Sequence, residues 1–301
     1  MDSTLTTDQK SLTAIFNSKK SMSLEVNSNE TIDLDTLPTM LMDFVAISWI
    51  GNFEGFSAKN IPAIKLAEEL ISRKITVLLH IACRNLNKVS AMNILMYIRH
   101  IGIRNILALE GESKYVTEKD LSEMDFPYTS HFVEFIKENF ENFFTIGVTG
   151  YPQKHPRSRD MNQELEFLRL KVSKGADFIL TQGCLDKRVL SDFQKMCKNF
   201  NISIPIVAGT FLLRSTNQLN TLKKCNVSVE NELFRFRDEL SQNFEPFFRN
   251  LFREIGEMVL DENVEDFAGL HIFSFNDKNY ISEVMGEFAY FARRFNKVTS
   301  N

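Results

Sequence analysis

The chain has 301 residues, of which 44% are hydrophobic and 25% are charged, and its formal net charge is -4 at pH 7. This composition is typical of a globular protein, and the acidic balance without long Lys/Arg runs excludes nucleic acid as the expected partner. No apolar run reaches the ~18 residues that a membrane span needs. Residues 1–16 lack a secretory signal, so the sequence predicts a cytoplasmic protein with no membrane partner.

The first segments of the chain predict a flexible arm followed by a domain rich in short strands. Residues 1–20 are polar and aperiodic, and we expect them to form a flexible N-terminal arm. The cysteines have no C-x-x-C spacing and no metal-ligand spacing, so we expect reduced, mostly packed thiols and no metal site. They are Cys83, Cys184, Cys197 and Cys225.

Eight short runs of apolar and β-branched residues predict eight strands, with helical patterns between them. The runs cover residues 22–26, 44–50, 75–81, 105–109, 144–148, 177–181, 204–208 and 269–275. Apolar residues recur at helical spacing in segments such as 61–73, 88–101 and 164–174, and Gly102 and Gly175 are predicted to end two of these helices. The Phe-rich stretch 229–260 predicts extra helices before the last strand.

The repeated strand–helix alternation predicts a (β/α)8 TIM-type barrel that forms a single domain over residues 21–301. A doubly wound sheet is the alternative, but no G-x-G-x-x-G motif follows any predicted strand. Part of the Phe-rich stretch, residues 234–252, is a candidate contact face for a homo-oligomer, although a core-packed helix pair fits the same pattern.

Ionisable side chains at the predicted C-terminal strand ends are the candidates for catalysis, because those ends form the active face of a barrel. Glu25 follows an apolar run, so burial could raise its pKa and make it a general acid. Pairing with a basic residue at the rim explains the same position equally well. His80 also ends an apolar run, where a hydrogen-bonded structural histidine and a neutral donor to a ligand are both compatible with the pattern.

Two glutamines and one lysine are weaker candidates. Gln182 ends a strand and could recognise a polar heterocycle through its amide, whereas Gln218 lies in a helical segment where a solvated amide is the simpler interpretation. Lys171 lies on a helix and could reach a phosphate, but the pattern alone describes a surface charge.

Six motifs, in this order and at this spacing, make residues 22–294 resemble the catalytic barrel of methylenetetrahydrofolate reductase. They are HIACRN from His80, NILALEGE from Asn105, GYPQKHP from Gly150, LKVSKGADFILTQ from Leu170, PIVAG from Pro205 and GLHIFSFN from Gly269. The resemblance ends with the barrel, so the large C-terminal regulatory domain of animal relatives is not expected.

The resemblance implies a flavoprotein that reduces 5,10-methylenetetrahydrofolate to 5-methyltetrahydrofolate by a ping-pong hydride transfer, with FAD as cofactor and NADH or NADPH as co-substrate. It implies two catalytic residues, Glu25 as the general acid and Glu112, which stands in place of the usual Asp near the flavin. The implied substrate contacts are Gln182 and Gln218. The implied FAD contacts are Ser48, His80, Gly111, Glu112, Tyr128, Tyr151, His155, Glu164 and Lys171.

Several positions depart from the family pattern. Glu110 stands where the family has Arg, which reverses a charge beside an anionic cofactor, and Asp277 likewise replaces an Arg. If Glu110 faces the cofactor's diphosphate, we expect a loss on the order of 1–3 kcal/mol of binding free energy. Gly183 and Cys184 replace an aromatic pair, which is expected to remove apolar surface from the substrate wall. These changes leave open an alternative function, a catalytically impaired paralogue that binds flavin or folate in a binding or regulatory role.

Overall fold

Eight parallel strands close into a barrel in the computed structural model of the chain, in sequence order from β1 to β8. The strands are β1 (Ser21–Asn27), β2 (Phe44–Ser48), β3 (Val77–Ala82), β4 (Asn105–Leu109), β5 (Thr145–Gly150), β6 (Phe178–Thr181), β7 (Ile206–Thr210) and β8 (Gly269–Ile272). Closure is direct, because β8 pairs with β1 in register from Ser21 opposite Gly269 to Leu24 opposite Ile272. The predicted fold class is confirmed, and every predicted strand segment overlaps an observed strand.

The structure describes residues 9–29, 34–36, 41–53, 55–111, 117–215, 217–219, 222, 227–229, 244–264, 266–274 and 278–295. Its helices within these ranges are α1 (Leu12–Ser18), α2 (Pro62–Ser72), α3 (Lys88–His100), α4 (Glu118–Glu123), α5 (Thr129–Phe140), α6 (Met161–Ser173), α7 (Lys187–Asn199), α8 (Phe244–Leu260) and α9 (Lys278–Arg294). No helix of these described ranges is long and apolar enough to cross a membrane.

Local sequence signals account for where the helices begin and end. Asn87 and Asp160 cap α3 and α6, because their side-chain oxygens accept hydrogen bonds from the backbone N–H groups of Ser90 and Gln163. Gly102 and Gly175, just beyond the ends of these two helices, have φ angles of +89° and +109°. Glycine adopts this left-handed conformation readily, so the two predicted helix ends are confirmed.

The Phe-rich helix α8 lies before β8, as predicted. Phe247, Phe248 and Phe252 are buried, so in its described part the Phe-rich segment packs into the core rather than facing solvent. Residues 230–243 of the predicted helical stretch lie outside the described residues. Among the cysteines, Cys83, Cys184 and Cys197 are free and buried, whereas Cys225 lies outside the described residues.

The barrel interior is apolar in its lower part, toward the N-terminal ends of the strands, where their inward side chains meet. Its core contains Phe44, Ala46, Leu78, Leu107, Phe178, Leu180 and Val207. A separate and larger apolar cluster lies between the outer faces of the strands and the helices. Burial on both faces explains why the strands read as continuous apolar runs rather than alternating ones.

The prediction of a flexible arm is wrong for residues 9–20, because this segment closes the floor of the barrel. Leu12 and Ile15 of α1 are buried in the interior core, at helical spacing. The backbone N–H of Leu12 donates to Oδ1 of Asn105 at 2.9 Å. Gln9 bonds through both ends of its amide to the start of β3, at Ile75 and Val77. A seven-residue helix has little stability of its own, so only these tertiary contacts explain it.

Leu12→Ala tests this closure. Because the side chain is fully buried, the substitution should lower the free energy of unfolding by about 2–5 kcal/mol, as measured by urea denaturation. Asn17→Ala, at an exposed position of the same helix, is the matched control and should change it by no more than about 0.5 kcal/mol. Equal effects of the two substitutions would show that α1 does not seal the barrel floor.

Candidate active site

Three predicted residues from neighbouring strands, Glu25, Ser48 and His80, meet inside the upper part of the barrel. Glu25 and Ser48 lie on adjacent strands, with Asn27 of β1 opposite Ser48 of β2. The Ser48 hydroxyl is hydrogen-bonded to the Glu25 carboxyl group. Nδ1 of His80 lies 3.7 Å from Oε2 of Glu25, which is too far for a hydrogen bond.

Burial makes Glu25 and His80 favour their uncharged forms. Desolvation raises the pKa of Glu25 to about 7, against the opposing hydrogen bond from Ser48. Burial lowers the pKa of His80 to about 3, so its imidazole is neutral. The side chain of Glu25 keeps 18% of its surface exposed at the mouth of the barrel. Both groups favour their uncharged forms. Their close approach is therefore a contact between a carboxylic acid and a neutral imidazole ring rather than an ion pair.

A second buried histidine, His271 on β8, was missed by the sequence analysis. Its Nδ1 lies 2.8 Å from the hydroxyl of Ser23, and burial lowers its pKa to about 3, with a smaller contribution from His80. The Nε2 atoms of both histidines are buried and have no hydrogen-bond partner among the described residues. A single histidine within an apolar strand gives no sequence signal of such a pairing, because the partners come from other strands.

Tyr151, His155 and Lys171 form a second group near the end of β5. The rings of Tyr151 and His155 are 4.8 Å apart, and Nζ of Lys171 is 6.0 Å from the Tyr151 ring. Lys171 is turned inward, since Nζ donates to the backbone oxygen of Thr149 at 2.6 Å. Burial lowers the pKa of Lys171, and the charges of Glu164 and Glu110 oppose that shift. The surface-charge interpretation of Lys171 is therefore wrong.

Glu164 braces the loop that carries His155. Its Oε2 accepts hydrogen bonds from the backbone N–H of His155 at 3.1 Å and from the hydroxyl of Ser158 at 2.6 Å. Only 3% of the residue is exposed, in the first turn of α6. This carboxylate thus fixes the backbone at His155, and both bonds to its Oε2 come from within the protein.

Glu110, the residue of reversed charge, contacts two arginines that the sequence analysis did not select. Its Oε2 accepts a hydrogen bond from Nη2 of Arg84 at 2.6 Å and another from the guanidinium of Arg157. Arg84 follows β3 and Arg157 lies in the loop after β5, so the barrel rim brings all three together. Positive charge at this part of the rim therefore comes from positions other than residue 110.

The remaining predicted ligand contacts lie on separate elements of the barrel. The backbone N–H of Gln182 donates to Gly150 at 2.7 Å, which fixes it beside the β5 end. Oε1 of Gln218 accepts a hydrogen bond from the backbone N–H of Arg214 at 2.7 Å, so this oxygen is engaged within its own segment of the chain. Tyr128 is 47% exposed where α5 begins, and Gly111 has a φ of +90° after β4. Glu112 and Asp277 lie outside the described residues.

Phe211 corrects the expectation that Gly183 removes apolar surface from the substrate wall. A Cβ atom at Gly183 would be 2.0 Å from Cε2 of Phe211, so the Phe211 ring occupies that space. The Phe211 ring is in turn 5.3 Å from the Phe273 ring. The apolar wall between β6 and β8 is thus built by side chains that follow β7 and β8. In the described ranges, no group of three or more acidic, His or Cys side chains could hold a metal ion.

A solved structure of an uncharacterized protein from Clostridium thermocellum, which binds two copies of 5-methyl-5,6,7,8-tetrahydrofolic acid, has a similar fold. The two superpose with a TM-score of 0.58 at 13% sequence identity, over 92% of this chain and 99% of that chain. At this identity the likeness concerns the fold alone.

Sequence comparison is more specific. Methylenetetrahydrofolate reductase 2 of Schizosaccharomyces pombe is 25% identical over 276 residues, which cover 87% of this chain and 43% of that protein. Methylenetetrahydrofolate reductase 1 of the same organism is 34% identical over 131 residues, covering 44% of this chain and 22% of that protein. The chain spans less than half the length of these relatives. Because the family model for methylenetetrahydrofolate reductase matches residues 3–288, this chain belongs to the methylenetetrahydrofolate reductase family.

Proposed function

We propose that this chain catalyses the FAD-dependent reduction of 5,10-methylenetetrahydrofolate to 5-methyltetrahydrofolate, with NADH or NADPH as the electron source. The observation that carries the proposal is the buried carboxyl group of Glu25, whose pKa is raised to about 7 beside the neutral ring of His80. Support for the substrate class comes from the reductase names of the relatives and from the folate bound by the Clostridium thermocellum protein.

The described residues fit a flavin dinucleotide in two respects. The buried Nε2 of His80 and the buried Nε of Arg84 have no hydrogen-bond partner among the described residues, so both can bind a polar ligand. The cations Arg84, Arg157 and Lys171 at the ends of β3 and β5 suit the charge of a diphosphate. The residues that would hold the cofactor are Ser48, His80, Gly111, Tyr128, Tyr151, His155, Glu164 and Lys171, together with Glu112, which is outside the described residues.

The chemistry that FAD supplies when bound is two-electron transfer, accepted from the nicotinamide and given to the folate in separate half-reactions. Glu25 holds a proton on its carboxyl group near neutral pH, and we assign to it protonation of the folate as the five-membered ring opens. His80 remains neutral, so no positive charge beside Glu25 lowers the pKa of its carboxyl group before the proton is donated. Phe211 and Phe273 exclude water from the neighbouring wall.

Two amides complete the proposed substrate contacts. The side chain of Gln182, anchored through its backbone beside Gly150, can pair donor and acceptor with a polar heterocycle. For Gln218 to contact the folate through Oε1, this oxygen has to exchange its bond to Arg214 for one to the ligand.

Anaerobic half-reactions test the proposed activity directly. The purified chain should bind FAD stoichiometrically, NADH or NADPH should bleach the flavin absorbance, and 5,10-methylenetetrahydrofolate should restore it with formation of 5-methyltetrahydrofolate. Failure to bind added FAD contradicts the proposal. Bound FAD that neither nicotinamide bleaches supports instead the impaired, ligand-binding paralogue.

Glu25→Gln separates the two half-reactions. Because the amide cannot donate the proton, the folate half-reaction should slow by about 10²- to 10⁴-fold, whereas bleaching by the nicotinamide should change little. In the unsubstituted protein the folate half-reaction should slow as the pH rises through about 7, where Glu25 ionises. Glu134→Gln, at an ion pair with Lys174 on the outer helices, is the control and should leave both rates unchanged. Equal slowing of both half-reactions by Glu25→Gln would remove Glu25 from the role of acid.

The raised pKa of Glu25 also predicts how stability depends on pH. Below a pH of about 4.5 the carboxyl is protonated in both states; above it the unfolded chain loses the proton while the folded protein retains it up to about 7. The folded protein should therefore lose stability relative to Glu25→Gln as the pH rises through this window, by at most about 3 kcal/mol. Urea denaturation of both proteins between pH 4 and pH 8 measures the difference, and a pH-independent difference would contradict the raised pKa.

A further inference from the structure

The contact of Glu110 with Arg84 and Arg157 has the form of an anion site that is filled by the protein's own carboxylate. Arg84 follows β3 and Glu110 follows β4, and the backbone N–H of Arg84 donates to the backbone oxygen of Glu110 at 3.0 Å. This bond continues the pairing of the two strands and fixes both side chains at the rim. Two guanidinium groups then donate to the same atom, Oε2 of Glu110.

The donors of Arg84 are only partly used by this contact. Its side chain is 2% exposed, so water has little access to the guanidinium group and does not satisfy its unused hydrogen-bond donors. Nη2 donates to Glu110 and Nη1 donates to the Gly111 backbone oxygen at a long 3.4 Å, whereas the buried Nε has no hydrogen-bond partner among the described residues. Arginine favours ligands that engage its donors in pairs, as the oxygens of a phosphate do. A buried Arg with an unused donor therefore points to a ligand that brings more acceptors than Glu110.

The charges around this contact indicate an anionic ligand. Arg84 and Arg157 bind Glu110, and Lys171 interacts with its charge, whereas Lys154 and Arg159 of the same rim are engaged by the backbone oxygen of Ser158 and by Asp160. The charge of Glu110 also opposes the lowering of the pKa of Lys171 by burial. Glu164, the other nearby carboxylate, is engaged by His155 and Ser158. Once Glu110 leaves, the basic side chains around this contact outnumber the one remaining carboxylate, which suits the negative charge of a diphosphate.

We infer that Glu110 is an internal competitor for a diphosphate-binding site formed by Arg84 and Arg157. The incoming diphosphate displaces the Glu110 carboxylate from the two guanidinium groups and takes its place. Glu110 is able to leave because 26% of its side chain is exposed at the rim, whereas Arg84 stays buried. No covalent bond is made or broken in this exchange, which is a competition between two anions for the same hydrogen-bond donors. The inference rests on the proposed function only in that the dinucleotide cofactor is the expected source of the diphosphate.

Calorimetric titration of the full chain with inorganic pyrophosphate, at low salt and without flavin, tests the competition. Glu110→Gln removes the competing charge and keeps the side-chain size, so pyrophosphate should bind about 10- to 100-fold more tightly than to the unsubstituted protein. Adding Arg84→Gln to that variant should abolish the gain. Glu134→Gln, which removes a carboxylate from an outer ion pair with Lys174, is the matched control and should leave the affinity unchanged.

Thermal unfolding of each variant shows whether it is folded. A folded Glu110→Gln that binds pyrophosphate within twofold of the unsubstituted protein overturns the inference and leaves the three residues as a structural ion-pair network. If Glu110→Gln does not fold, Arg157→Gln decides instead, because this side chain is 56% exposed and its loss is tolerable. Pyrophosphate affinity should then fall at least about 10-fold, and an unchanged affinity overturns the inference.

Parallel titrations with ADP and FAD identify the source of the diphosphate and keep the two proposals separate. An equal gain for pyrophosphate, ADP and FAD in Glu110→Gln assigns the site to the diphosphate of a dinucleotide. A gain for pyrophosphate alone assigns it to a free anion, which overturns the dinucleotide as the source. Absence of FAD binding together with a gain for pyrophosphate contradicts the proposed function and supports the competition. Flavin turnover without a gain in pyrophosphate affinity in Glu110→Gln supports the proposed function and overturns the competition.

Discussion

Closure of eight parallel strands into a ring places all their C-terminal ends on one rim and directs every second side chain into the interior. That interior has to be filled, because a packed protein does not tolerate a large void. Here apolar side chains such as Phe44 and Phe178 fill its lower part, and α1 seals it from below. Polar side chains that lie further along the same strands, such as Ser48 and His80, are placed near the rim.

This geometry explains why the titratable groups of the upper barrel share one behaviour. Glu25, His80 and His271 come from three different strands, yet burial shifts the pKa of each toward its uncharged form. A low-dielectric environment penalises charge of either sign, so an acid retains its proton while a histidine loses its own. The proton that Glu25 retains near neutral pH and the neutral histidine beside it are two consequences of the same desolvation.

The part of the rim between β3 and β5 instead carries charged side chains that pair with one another. Between the ends of β3 and β5, Glu110 is bound by Arg84 and Arg157, and Lys171 reaches inward along the neighbouring wall. The site therefore has an uncharged part suited to a reacting ring and a charged part suited to an anion. Membership in the methylenetetrahydrofolate reductase family is compatible with the change at Glu110, because the positive charge of that part is carried by side chains from other strands.

The sequence predicted the closed barrel and the positions of its strands because both depend on local patterns: the length of apolar runs, their alternation with amphipathic segments, and glycines such as Gly102 and Gly175 at helix ends. It also selected Glu25 and His80, since a polar residue at the end of an apolar run is visible without knowledge of its neighbours. The short helix α1 could not be predicted in the same way, because seven residues carry too weak a periodic signal and their stability comes from the barrel floor.

By itself, then, the sequence determined the architecture of this protein, its family resemblance and the side chains that stand at the strand ends. Only the tertiary structure decided which of those side chains meet. Arg84, Glu110 and Arg157 are up to 73 residues apart in the chain (157 − 84) and become partners only when the rim closes. The pairing of His271 with Ser23 and the Phe211 ring over Gly183 are of the same kind. Each is a contact between strands or strand ends, and its energy depends on distance and desolvation, which a linear sequence does not contain.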